Sequence, residues 1–288
     1  MEKKTKNTVK RISCKKITSV VKNLFIEANT CLAADVVAAL QSSLKKEESA
    51  LGRQVLEKII TNAEIAAQSK VPICQDTGLA VLFVEIGQDV YITGGDLRAA
   101  IEEGVRQAYD EGFLRKSVCD PLTRKNTEDN TPAIIHIDIV QGDRLNIIAM
   151  PKGGGSENVS AAKMLTPAVG IEGIKKFVLE TVDQAGANPC PPIIVGIGIG
   201  GTLEQACILA KKALLRPVGE ASSKDERLAQ IEKELYSSIN KTGIGPGGLG
   251  GRITTLAVHA EMMPCHIASL PVAINIQCHV ARHKEVTI

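Results

Sequence analysis

Apolar residues in the first quarter of the chain recur with the period of an α-helix. Between Ile17 and Ala28 they lie three or four positions apart, as on one face of an amphipathic helix. The same pattern predicts helices over residues 32–44 and 47–69, the second of which stops before Pro72. The chain therefore begins with a predicted helical segment.

Strands and helices alternate after residue 78. Short apolar runs predict strands at 79–86, 134–140, 145–150, 193–199, about 253–260 and 271–277. Helical patterns fall at 97–114, about 160–166, 171–184, 202–216 and 225–240. Gln141-Gly-Asp-Arg144 predicts a hairpin turn between two of the strands. We expect an α/β (mixed α+β) protein, in which the helical segment packs on a mixed-sheet core and glycine-rich loops lie at strand ends.

Composition and charge narrow the class of protein. The chain is 44% hydrophobic and 23% charged, as in a globular protein, and no apolar run approaches the ~20 residues that span a bilayer. Residues 1–16 have seven Lys or Arg and one Glu, a local charge of +6, which leaves −4 for the rest because the whole chain has +2. A mildly acidic body with four Phe, three Tyr and no Trp argues against nucleic-acid binding.

The basic start is interpreted as a flexible tail over residues 1–15, followed by one catalytic domain over 16–288. With no secretory signal, the eight cysteines indicate a reducing compartment, and we expect a cytoplasmic protein with no membrane association.

Three glycine-rich segments are candidates for ligand contact. Lys152-Gly-Gly-Gly-Ser156 follows a predicted strand, and its backbone N–H groups could converge on an anion; a flexible turn is the alternative. Gly196-Ile-Gly-Ile-Gly-Gly-Thr202 resembles a dinucleotide loop imperfectly, and close helix–strand packing explains its glycines equally well. The 243–251 loop indicates backbone that passes close to a ligand or another subunit.

Cys74, Cys190 and Cys278 each lie where a regular segment meets a turn. A core cysteine packs like a small apolar residue, whereas one at a strand end presents its sulfur to loops. No C-x-x-C pair of the kind common in zinc sites occurs, and widely separated thiolates fit an iron–sulfur cluster better. Cys119 and Cys265 are further candidate ligands, and structural cysteines without a metal are the alternative interpretation.

Taken together, these segments are similar in order and spacing to class I fumarases. The resemblance rests on Ile73-Cys-Gln-Asp-Thr-Gly78, Lys152-Gly-Gly-Gly-Ser-Glu-Asn158, Cys190-Pro-Pro192 with Gly200-Gly-Thr202, Gly243-Ile-Gly-Pro-Gly-Gly-Leu-Gly-Gly251, and His266-Ile-Ala-Ser269 with Cys278. It covers residues 10 to 285 and most resembles the α subunit of the two-subunit form.

The resemblance implies a 4Fe–4S cluster whose fourth iron is open to substrate. Its ligands would be Cys74, Cys190 and Cys278, its catalytic residues Asp76 and His266, and its substrate-binding residues Arg115, Lys152, Gly153, Gly154 and Gly155. On sequence alone, Arg115 and Lys152 could equally be solvated charges, and His266 a core histidine.

The implied reaction is the reversible hydration of fumarate to L-malate, so the substrate is a dicarboxylate. The proton-abstracting base belongs to the family's other domain, so the resemblance also implies a β-subunit partner and an α2β2 heterotetramer. The alternatives are an L-tartrate dehydratase α subunit and, from another class of protein, a nucleotide-binding regulatory or scaffold subunit that uses the 196–202 segment.

Overall fold

Ten strands and eight α-helices form within residues 9–220 and 225–288, the part of the chain that the computed structural model describes. The strands are β1 (Lys10–Ser13), β2 (Leu79–Gly87), β3 (Val90–Thr93), β4 (Ile134–Val140), β5 (Leu145–Lys152), β6 (Ala161–Leu165), β7 (Ile193–Gly200), β8 (Thr255–Met263), β9 (Leu270–Gln277) and β10 (Lys284–Thr287). The helices are α1 (Cys14–Thr30), α2 (Ala34–Lys46), α3 (Ala50–Ser69), α4 (Leu97–Glu111), α5 (Gly154–Glu157), α6 (Gly170–Ala185), α7 (Leu203–Ala213) and α8 (Glu226–Ile239). The predicted α/β fold class is confirmed.

The described residues divide into two compact units. The first contains the described residues up to Cys31 together with Ile65–Lys152 and Arg282–Ile288, and the second contains Leu32–Glu64 and Gly153–Ala281. Four chain crossings therefore connect the units, and the 152–153 crossing falls within the Lys152-Gly-Gly-Gly motif.

The first unit is built on a mixed sheet in the order β10-β5-β2-β4. Strand β2 is almost entirely apolar and buried, which suits its central position between a parallel β4 and an antiparallel β5. Helices α1 and α4 supply apolar faces to the same core, where Phe25 and Tyr109 have ring centroids 6.2 Å apart. The core thus fixes β2 through Ala80, Leu82 and Val84.

The second unit contains a sheet in the order β6-β9-β7-β8. Strand β7 is buried along its whole length, runs parallel to β8 and pairs antiparallel with β9. Helices α6 and α8 cover this sheet with apolar residues such as Val178 and Leu235, while α7 packs closely on β7.

Two predictions of elements were wrong. Residues 161–165 form strand β6 on the edge of β9 instead of a helix, because pairing with β9 supplies hydrogen bonds that outweigh the helix propensity of Ala, Lys, Met and Leu. Strands β4 and β5 do not form a hairpin, because the more apolar β2 lies between them.

The predicted basic tail also stops earlier than residue 15. Residues 1–8 lie outside the described part of the chain, but Lys10–Ser13 form β1, which pairs in parallel with β3. The side chain of Ile12 is buried in the first unit's core, and Cys14, expected in the tail, is the first residue of α1 and is buried.

One segment, Cys14–Lys46, is long and apolar enough to cross a membrane by length and composition. It joins α1 and α2, which three non-helical residues separate. Ile17, Val21 and Phe25 of α1 are buried in the core of the first unit, and the core helix of a globular protein passes the same test. The segment is therefore weak support for a membrane span.

Candidate active site

The 74–78 turn, which contains Cys74 and Asp76, leads into β2. The carboxylate of Asp76 accepts a hydrogen bond from the Gly78 N–H at 2.9 Å, which closes the turn on itself. The hydroxyl of Thr77 donates to the carbonyl oxygen of Arg115 at 3.1 Å, which places the 115 backbone beside the turn. These bonds hold Cys74, which is half-buried, in a defined loop.

Two buried side chains support the turn from beneath. The Tyr109 hydroxyl lies 3.0 Å from the Thr77 carbonyl oxygen and 2.8 Å from that of Gly78, and the Asn130 amide donates to Gly78 at 3.3 Å. Burial raises the pKa of Tyr109, so the phenol keeps its proton and remains a donor.

Gly78 brings the end of β5 against the turn. Its φ is +77°, and a Cβ there would lie 2.7 Å from backbone atoms of Lys152. Lys152 is 1% exposed, so its side chain is not the solvated charge that sequence alone allowed. The side chain of Arg115, in contrast, is exposed. The first unit thus brings the backbones of Lys152 and Arg115 beside the turn that contains Cys74 and Asp76.

In the second unit, Cys190 and Cys278 lie at the same end of one sheet. Cys190 precedes β7, Cys278 follows β9, and the two strands pair with Ile194 opposite Gln277. A ring nitrogen of His279 lies 2.9 Å from the Cys190 carbonyl oxygen, which ties the two segments together. Cys190 has a φ of +55°, a left-handed conformation that few side chains adopt and that proteins retain mostly at functional positions.

The 243–251 loop packs against the turn that contains Cys190. The Gly247 N–H donates to the Pro191 carbonyl oxygen at 2.8 Å, and a Cβ on Gly248 would lie 2.2 Å from the Cβ of Ala187. The predicted close approach of this loop is therefore to its own chain, and the glycines make room for it.

The glycines at 153–155 lie close to the same turn. Gly153 caps α5, and a Cβ on Gly155 would lie 3.3 Å from the Asn188 carbonyl oxygen. Glu157 connects α5 to the rest of the unit by accepting from Lys211 at 2.6 Å and from Asn275 at 3.0 Å.

The dinucleotide-loop interpretation loses its basis. Gly196 and Gly198 lie inside β7 instead of in a loop, and a Cβ on either would lie 2.1 or 2.0 Å from a carbonyl oxygen of α7. Close helix–strand packing accounts for these glycines.

His266 is not brought together with Cys190 and Cys278. It lies in the exposed loop between β8 and β9, at the opposite end of the eight-residue strand β9, about 26 Å away at ~3.3 Å per residue. Its ring accepts a hydrogen bond from the Ala268 N–H at 3.1 Å. The catalytic role implied for His266 by the resemblance stays a prediction.

The donor chemistry fits an iron–sulfur cluster in part. None of the eight cysteines, all in the described part of the chain, forms a disulfide, and two of the predicted ligands lie at one sheet end. Cys74 is in the first unit, and no group of three or more His, Cys, Asp or Glu able to hold a metal ion occurs within residues 9–220 and 225–288. Cys119, which forms an isolated bridge with Asn126, and the exposed Cys265 gain no support as ligands.

Sequence reasoning missed three supporting residues. Tyr109 matched an ordinary core position on a helix, Asn130 a polar loop, and Arg282 a charge near the C-terminus. Arg282 donates from Nη2 to the Asp76 carbonyl oxygen at 2.5 Å. The partners are 31 to 206 residues apart, so only the tertiary fold reveals these contacts.

Comparison with known proteins places the chain in one family. A family model described as fumarate hydratase (fumerase) matches residues 18–287. A protein of Methanocaldococcus jannaschii, provisionally named L(+)-tartrate dehydratase subunit alpha, is 50% identical over 275 residues, 93% of this chain and 95% of that protein. The L(+)-tartrate dehydratase subunit alpha of Escherichia coli K12 is 31% identical over 277 residues, 95% of this chain and 91% of that protein. On these matches, the chain belongs to the fumarate hydratase (fumerase) family of hydro-lyases.

Proposed function

We propose that this chain is the α subunit of a hydro-lyase that reversibly hydrates fumarate to L-malate. The observation that supports this most is the meeting of Cys190 and Cys278 at one sheet end, with Cys190 in a left-handed backbone conformation. The 74–78 turn, whose Gly78 lies against the backbone of the buried Lys152, provides a third thiol.

We assign Cys74, Cys190 and Cys278 as ligands of a 4Fe–4S cluster. When bound through three thiolates, such a cluster supplies a Lewis acid at the iron that has no cysteine ligand.

The protein's own groups bind and orient the dicarboxylate. Arg115 has an exposed guanidinium that grips one carboxylate through two parallel hydrogen bonds, a geometry that Lys cannot reproduce. Lys152 adds a buried positive charge, and the backbone N–H groups of Gly153, Gly154 and Gly155 donate to the same anion. Asp76, held by the Gly78 N–H, orients the substrate hydroxyl.

The proton on carbon is removed by a base from a partner chain. The relatives are named as alpha subunits, which supports assembly with a β subunit, and we propose an α2β2 heterotetramer in the cytoplasm.

Anaerobic co-production with a fumarase-type β subunit tests the function. We expect a brown complex that converts L-malate to fumarate, and neither chain alone should turn over. A complex that binds iron but converts neither L-malate nor tartrate would contradict the proposal.

The second candidate function is L(+)-tartrate dehydration, which the names of the relatives favour. Turnover of tartrate at a kcat/KM at least tenfold above that of L-malate, measured on the same complex, would establish it instead. We place fumarate first because Lys152 and Ser156 of the Lys-Gly-Gly-Gly-Ser segment match the fumarase form of this motif.

A further inference from the structure

A buried guanidinium lies directly against the 74–78 turn. Arg282 is 3% exposed, and its Nη2 donates to the Asp76 carbonyl oxygen at 2.5 Å. Its Nε and Nη1 are also buried, and neither has a hydrogen-bond partner among the described residues.

Within residues 9–220 and 225–288, none of the ion pairs involves Arg282. Burial of a charge with unmade hydrogen bonds is unfavourable unless an anion completes it. Arginine stays charged under all ordinary conditions, so it cannot relieve this cost by losing its proton.

The carbonyl oxygens of the 74–78 turn are contacted by three buried side chains. Tyr109 and Asn130 contact the Thr77 and Gly78 carbonyl oxygens, while Arg282 contacts that of Asp76. Three consecutive carbonyl groups, Asp76 to Gly78, therefore accept from buried side chains. Such a scaffold restricts the position of Cys74 two residues away.

We propose that Arg282 is a positioning residue that holds the 74–78 turn and whose remaining donors stabilise an anion bound beside it. The inference rests on the proposed function for the identity of that anion, which is either the thiolate-ligated cluster or a substrate carboxylate. Both present negative charge to an N–H donor, and the experiment below distinguishes the cluster from the substrate carboxylate.

The test uses the full chain with its partner and three variants. Arg282→Gln removes the charge, Arg282→Lys keeps the charge but loses the planar fork, and Lys284→Gln is the control. Lys284 lies two residues further on and forms an ion pair with Glu27 at 3.0 Å, so the control removes a positive charge from the same segment.

The first readout is hydrogen exchange of the 75–78 amides in the iron-free chain, measured by mass spectrometry. We expect exchange at least fivefold faster in Arg282→Gln than in wild type, and unchanged exchange in Lys284→Gln. This readout does not depend on iron, so it supports or refutes the positioning role even if wild type takes up no iron and the proposed function fails.

The second readout identifies the anion. A fall of at least fivefold in iron bound per chain in Arg282→Gln, partly restored in Arg282→Lys, assigns the donors to the cluster. Unchanged iron with a KM for L-malate raised at least tenfold and a little-changed kcat assigns them to substrate. If exchange is faster in Arg282→Gln but neither the iron content nor the KM changes, Arg282 is a purely structural residue and the anion role is overturned. If exchange in Arg282→Gln equals that in Lys284→Gln, the whole inference is overturned.

Discussion

Gly78 and Gly94 have nearly the same backbone conformation but different surroundings. Their φ angles are +77° and +78°. A Cβ on Gly78 would lie 2.7 Å from the Lys152 backbone, whereas a Cβ on Gly94 would have nothing within 4 Å. The pair separates the cost of a left-handed residue from the cost of a steric clash at the candidate site.

We expect Gly94→Ala to lower the free energy of unfolding by about 1 kcal/mol, the cost of a side chain in a left-handed conformation. Gly78→Ala should lower it by about 3 kcal/mol, because overpacking against rigid backbone adds to the same cost. Urea denaturation of both variants measures the difference, and equal losses would show that Lys152 does not press against the turn.

Glu47 shows how one buried carboxylate joins distant elements within the second unit. It follows α2, is 2% exposed, and accepts hydrogen bonds from the N–H groups of Ser49, Arg252 and Ile253. Burial alone would raise the pKa of Glu47, but the hydrogen bonds from these backbone groups outweigh it and hold the pKa below its usual value. Gly251, at the end of the 243–251 loop, leaves room for the carboxylate.

Replacement of Glu47 by Gln should destabilise the chain at pH 7 by about 2–3 kcal/mol, the worth of hydrogen bonds to a charged group. The adjacent Glu48 is the matched control, because it is exposed and pairs with the side chain of the same Arg252. We expect Glu48→Gln to cost less than about 0.5 kcal/mol.

The pKa of Glu47 is lowered on folding, so its contribution is complete above pH ~4.5 and is lost as the pH falls through the folded-state value. The difference between wild type and Glu47→Gln in urea denaturation should therefore shrink below pH 4.5. A difference that stays constant down to pH 3 would contradict this role.

Most of the helices and strands could be predicted from the local pattern of apolar and polar residues. The predictions that were wrong have one cause in common. The periodicity of α1 reflects a helix that is buried on one face. The continuous apolar run of β2 reflects a strand that is buried on both faces. Strand β6 and the separation of β4 from β5 depend on which distant strand is available as a partner. Local sequence contains no information on that choice.

At the scale of the whole molecule, short motifs predicted the parts of the candidate site but not its support. The 74–78 turn and the segments around Cys190 and Cys278 are visible in sequence because each cysteine lies where a regular segment meets a turn. Tyr109 lies at a core position of a helix and Arg282 near the C-terminus, and neither position is distinctive in the sequence. Their role follows from contacts made only in the folded chain.

Acid should destabilise the protein through His259. This histidine is 1% exposed, its Nδ1 lies 3.2 Å from the Ala213 carbonyl oxygen, and burial, aided by the charge of Arg216, lowers its pKa from 6.5 to about 4. Between these values the unfolded chain binds a proton that the folded chain does not. The stability that neutral His259 contributes is therefore complete above pH 6.5 and is lost as the pH falls toward 4.

Thermal unfolding between pH 7 and pH 4.5 measures this effect. The melting temperature of His259→Asn should fall less steeply with acid than that of wild type, whereas replacement of the exposed His266 by Asn should leave the slope unchanged. Equal slopes of melting temperature against pH for all three proteins would show that His259 does not cause the loss of stability in acid.

The central claim is that Cys74, Cys190 and Cys278 together hold an iron–sulfur cluster, and iron content after anaerobic reconstitution tests it most directly. Wild type and a Cys207→Ser control, altered at an exposed cysteine on α7, should bind about four irons per chain and show the broad visible absorption of a 4Fe–4S cluster. Serine at any of the three proposed ligands should lower the iron content at least twofold without a large loss of stability. Iron bound equally by wild type and all three variants, or by none of the proteins, would contradict the claim.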